Sequence, residues 1–138
     1  MNSIEPFLNP AQTVEDLRKA ADYLAARPWD QGQDYRADTK AVCAFGAIRT
    51  VIGGLVVDPG AEYGYRNVDI PSRYPVDSAE ATQALRLRTR ASNASRAFYR
   101  VIGSDITTYN DCEGRTKEQM IRAMQTVASA IEEDPRRA

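Results

Sequence analysis

Two aromatic rings, two amides and a carboxylate stand out for the chemistry they could support: Trp29, Gln31, Tyr109, Asn110 and Asp111. All five fall in segments that read as loops beside the most apolar stretch of the chain, and could converge near its start. Rings supply contact area and amides supply donors and acceptors, so together they could wall a small ligand pocket. The same residues also suit a structural use, with Trp29 packed on the core while Asn110 and Asp111 tie the loops to backbone groups. A second set, Tyr63, Tyr65, Arg66, Arg73 and Tyr74, has the composition of a recognition surface, because tyrosine and arginine join apolar area to a polar tip. A third set is a row of arginines. Between Leu85 and Ser104 there are five arginines and no acid. Arg86, Arg90, Arg96 and Arg100 fall on one side of a helical wheel, where guanidinium groups could pair with phosphates or carboxylates, or form a solvated outer face.

Other chemistries are excluded by composition. The 138 residues contain no histidine, which removes Ser-His-Asp and Cys-His catalysis, histidine metal ligation and an imidazole pH switch. Of the two cysteines, Cys43 lies in the most apolar run and reads as an inert core thiol. Cys112 sits beside acids that would dull its reactivity. Asn110–Gly114 is too short for a calcium loop, and turn chemistry accounts for its Asn, Asp and Gly. Neither glycine-rich phosphate-binding motif occurs. No catalytic residue, metal or cofactor is therefore assigned. A formal net charge of −1 provides no global attraction toward nucleic acid or an anionic membrane. No segment reaches the length of apolar residues that spans a bilayer, and the start of the chain lacks the pattern of a signal peptide. The expectation is a cytoplasmic protein in a reducing compartment.

The elements that must position these groups follow from periodicity. A chain of this length suits one domain, able to bury about two thirds of its unfolded surface. Residues 1–12 read as an N-terminal arm whose Ile4, Phe7 and Leu8 could tuck onto a core, residues 13–134 as the domain, and 135–138 as a tail. Thr13 reads as the cap of a first helix, with Val14, Leu17, Ala21 and Leu24 at helical spacing and Pro28 as its stop. From Ala41 to Ile52 apolar residues surround the wheel, predicting a helix enclosed by its neighbours, with Gly46 admitting another helix closely. Residues 53–77 carry glycines, prolines and tyrosines without period, and read as a long irregular loop, with at most a brief extended piece at Leu55–Val57. Ser78 caps a helix to Ile102. After a turn through Ile106–Gly114, Thr116 and Gln119 make the capping box of a last helix. The fold class expected is all-α, a single-domain bundle of about four helices around a buried central one.

Three patches, Trp29-x-Gln31-Gly32, Cys43-Ala44-x-Gly46-Ala47-Ile48, and Tyr109-Asn110-Asp111 followed by Gly114-Arg115-Thr116, resemble a family of small uncharacterised helical proteins of actinobacteria and their bacteriophages. The resemblance spans about residues 13–131; Tyr109 stands where the family more usually has tryptophan. It implies an origin and no activity.

The function expected is that of a noncatalytic phage or actinobacterial protein that binds a host macromolecule, a protein in the first instance. Its contacts would run through Tyr63, Tyr65, Arg66, Arg73 and Tyr74 and the helix face of Arg86, Arg90 and Arg96. The alternative is a small-ligand binder or enzyme with a pocket of Trp29, Gln31, Tyr109, Asn110 and Asp111. A weaker third is nucleic-acid binding by the arginine face.

Overall fold

The computed structural model describes residues 9–138; Ile4, Phe7 and Leu8 lie outside them. Among the described residues there are five α-helices, α1 (Pro10–Ala25), α2 (Ala44–Ile52), α3 (Ala79–Ile102), α4 (Ile106–Asp111) and α5 (Lys117–Glu133), and two short strands, β1 (Leu55–Val57) and β2 (Tyr65–Asn67). The fold is mainly helical but not all-α. The strands pair antiparallel, with Leu55 opposite Asn67 and Val57 opposite Tyr65. The expected loop over 53–77 thus holds a hairpin followed by a 3-10 turn at Pro71–Arg73. Strands of three residues are too brief to print a period-2 pattern.

The packing of α1, α2, α3 and α5 makes the core. Leu17, Ala20, Ala21 and Leu24 of α1, Ala47 and Ile48 of α2, Leu87, Ala94 and Phe98 of α3, and Met120, Met124, Val127 and Ile131 of α5 are all buried in one cluster. Alanines at close-packed positions let the helix backbones approach.

Helix starts differ from expectation in two places. Helix α1 begins at Pro10 rather than after Thr13, because Asn9 is the better cap: its side chain accepts from Gln12 N, and Pro10 pre-sets the first turn. Helix α2 begins at Ala44 rather than Ala41. Residues 41–43 stay extended because Val42 forms an isolated parallel bridge with Trp29, and Cys43 becomes the cap, its Sγ accepting from Gly46 N. The helix over Ser78–Ile102 and the capping box of Thr116 with Gln119 are as expected. The segment read as a turn after Gly103 forms α4, capped by Asp105. Gly46 does admit a close neighbour, but it is the backbone of Asp34, whose carbonyl oxygen a Cβ on residue 46 would overlap. At the C-terminal end, Pro135–Arg137 forms a 3-10 turn, and Arg100 donates to the Ala138 carbonyl at 2.8 Å.

Candidate functional site

Asn110 is completely buried at the end of α4. Its Oδ1 accepts from the Trp29 indole N–H at 2.8 Å and from Ala44 N, the first residue of α2, at 3.0 Å. Its Nδ2 donates to the Asp30 carbonyl at 3.0 Å and to Asp111 Oδ1 at 2.9 Å. An amide has two acceptor sites and two donor hydrogens, so every one is in use. Gln31 completes the knot, donating from Nε2 to the carbonyls of Asn110 and Cys112, both at 3.0 Å. Of the five residues expected to converge, Trp29, Gln31, Asn110 and Asp111 do so. They converge as a set of ties joining α4, the 29–33 loop and the free N–H groups that begin α2. Tyr109 points elsewhere: its ring meets Phe98 edge-on at 5.4 Å and carries the Arg115 guanidinium 3.6 Å above its centroid. A concavity of about 660 Å³ borders this side, lined by Tyr109, Asp111, Cys112 and Arg115 among others, without Trp29, Gln31 or Asn110.

A second knot centres on Arg49, which reads in sequence only as an interruption of an apolar run. Its Nε and Nη2 pair with both oxygens of buried Asp69 at 2.9 and 2.8 Å, Nη1 donates to Asp34 at 2.7 Å, and Nη2 also reaches Asn67 Oδ1 at 2.6 Å. Burial works against the guanidinium charge, but the hydrogen bonds and charges of Asp69 and Asp34 outweigh it and hold the Arg49 pKa above its ordinary value. The knot fastens the hairpin and the 34–36 loop to α2. Asp34 Oδ1 also accepts a hydrogen bond from the Cys43 thiol at 3.4 Å. Burial first, and the Asp34 charge second, push that thiol up to about 12. Cys43 is therefore a neutral, unreactive thiol at neutral pH. A lone arginine inside an apolar helix was the available signal for this knot, since such a charge requires a buried partner.

The residues expected to bind a partner are distributed over three places. At the hairpin tip, Tyr63 is 68% exposed, and Tyr63 and Tyr65 border a groove of about 550 Å³ whose opposite wall is Gly32–Asp38. Tyr65 also meets Tyr35 edge-on at 5.9 Å. Arg66 pairs with Asp58 at 2.9 Å within the same hairpin. Arg73 and Tyr74 belong to and follow the 3-10 turn and do not line that groove. On α3, Arg90 is engaged with buried Asp16 of α1 through contacts of 2.6 and 3.2 Å, so its role begins with holding two helices together. Arg86 lies exposed on the surface, and exposed Arg96 reaches Asn93 at 3.2 Å.

These features define a small helical domain that fixes a hairpin and irregular loops by buried side-chain knots. The chain belongs to a family of unknown function, DUF6197, whose model matches residues 8–130. No curated protein and no solved structure matches it. Among the described residues no helix is long and apolar enough to cross a membrane.

Proposed function

We propose that this protein is a noncatalytic binding module, of phage or actinobacterial origin, whose partner is a host protein. The observation that carries this reading is Tyr63. A large aromatic side chain stands 68% exposed on a short hairpin that Arg49 ties to the second helix through Asn67 and through Asp69 just beyond it. Exposed aromatic groups on rigid supports are what interface hot spots are made of, because little conformational freedom is lost on binding. The adjoining groove offers a recess for a partner side chain, rimmed by Arg36 and Asp38. Arg73, Tyr74, Arg86 and Arg96 would add peripheral contacts and long-range attraction to an acidic partner. The ligand-pocket alternative is disfavoured by the use of Trp29, Gln31 and Asn110 in mutual hydrogen bonds. Nucleic acid remains the lesser alternative for the arginine face, favoured by the lack of acids along it and opposed by the overall charge of −1.

A photo-crosslinking phenylalanine analogue in place of Tyr63 tests the reading in actinobacterial cells expressing the protein. The expected outcome is one discrete protein adduct, absent when the analogue replaces exposed Glu118 instead. Equal adduct patterns from both positions would overturn it.

A further inference from the structure

Residues 62–65 of the hairpin alternate between two recesses. Tyr63 and Tyr65 border the groove described above, whereas Glu62 and Gly64 border another, of about 620 Å³, shared with the end of α1 and the 35–40 loop. That volume lies within the range of small-molecule sites, roughly 300–1,000 Å³. Its walls are partly apolar, from Val57, Pro59 and Ala61, and they carry two cations, Arg27 and Lys40. Arg27 lies over the Tyr23 ring, 4.1 Å from its centroid, and neither cation has an acidic partner within salt-bridge distance among the described residues.

The backbone of Lys40 adds an independent observation. Its φ is +60°, a left-handed conformation disfavoured for a side chain of this kind. The surrounding loop imposes it: Lys40 N donates to the Arg36 carbonyl at 2.7 Å, Arg36 N donates to the Ala41 carbonyl at 2.9 Å, and the Thr39 hydroxyl accepts from Ala41 N at 3.3 Å. Strain of this kind persists where surrounding structure over-determines it, and it concentrates at ligand sites. Here it sets the direction in which the Lys40 side chain leaves the loop at the groove. At one edge of the groove Gly64, itself at φ +81°, packs so close to Ala37 that a Cβ would lie 2.6 Å from the Ala37 methyl. The hairpin and the 35–40 loop thus meet along that edge.

We infer that the groove between Tyr23, Arg27, Lys40 and Ala61 binds a small organic anion, a flat apolar or aromatic compound bearing one phosphate or carboxylate. The anionic group pairs with Lys40 and Arg27, the flat part lies along Val57, Pro59 and Ala61, and Glu62 accepts from a ligand hydroxyl or amine. The recess shares Tyr35 and Ala37 with the groove beside Tyr63, but the ligand contacts assigned to it do not involve Tyr63.

Titration calorimetry and amide NMR shifts with adenosine 5′-monophosphate, phenyl phosphate, benzoate, adenosine and inorganic phosphate test it. The expected result is that at least one aromatic anion binds at least about tenfold more tightly than adenosine or inorganic phosphate alone, with shifts at residues 37–41 and 61–64. Phenyl phosphate against benzoate distinguishes the two anionic groups. Lys40→Ala should weaken binding about tenfold by loss of one charge-assisted contact, and Ala61→Trp should block it by filling the recess, both with unchanged thermal unfolding midpoints. No shift in that region with any aromatic anion at millimolar concentration, or binding that both variants leave intact, would overturn the inference.

Discussion

Asn110 shows how much one side chain can determine when its whole hydrogen-bonding capacity is used internally. Asn110→Asp keeps the shape but removes both donors and sets a carboxylate against the Asp30 carbonyl and Asp111. It is expected to lower stability by about 3 kcal/mol, measured by urea unfolding, with the loss shrinking as pH falls and the new carboxyl is protonated. Trp29→Phe removes one of two donors to Oδ1 and should cost only about 1 kcal/mol. Cys43 gives a pH prediction. Its folded pKa, about 12, lies above the ordinary value of 9.0, so its contribution is complete below pH 9 and is lost as pH rises toward 12. In that window the unfolded chain releases a proton that the folded chain retains, and stability should fall by up to about 1.4 kcal/mol per pH unit from this group. Cys43→Ala should flatten the alkaline slope of the unfolding free energy by about one proton. An equal slope in both proteins would contradict the assignment.

The long elements were legible because each repeats its signal several times. The face of α3, its serine cap and the capping box of α5 could all be read from spacing. What escaped was set by single tertiary contacts. The first three residues of the expected second helix are held extended by Trp29, α4 has only six residues, and the hairpin depends on Arg49 reaching Asp69 and Asn67 across the chain. The convergence of Trp29, Gln31 and Asn110 was foreseeable from their residue types. Their choice between lining a pocket and binding one another depends on distances that spacing does not encode. At this scale Gly46 is the sharpest test. Gly46→Ala gains about 1 kcal/mol of helix propensity, yet it drives a methyl into the Asp34 carbonyl and should destabilise by about 2–4 kcal/mol net. Gly53→Ala, where the added methyl meets open space but φ is +102°, should cost only about 1 kcal/mol. Thermal unfolding of the two variants checks the order.

For the whole molecule, the near balance of 18 basic and 19 acidic residues conceals an uneven distribution, because from Leu85 to Ile102 α3 carries arginines and no acid. Among them Arg90 is tied to Asp16. Charge reversal should therefore separate two roles. Arg90→Glu is expected to destabilise the fold by about 3 kcal/mol or more, since it leaves Asp16 buried beside a like charge. Arg86→Glu with Arg96→Glu should leave the unfolding midpoint nearly unchanged, while slowing association with the proposed partner several-fold at low salt and much less at high salt.

Two roles stand apart: protein binding proposed for the hairpin tip, and maintenance of the fold by the Trp29–Asn110 knot. Affinity capture from an actinobacterial lysate with the natural chain, Tyr63→Ala and Trp29→Phe, each matched for folded content by circular dichroism, separates the two. The expected result is a host protein retained by the natural chain and by Trp29→Phe and lost with Tyr63→Ala. Retention by Tyr63→Ala with loss on Trp29→Phe would contradict it.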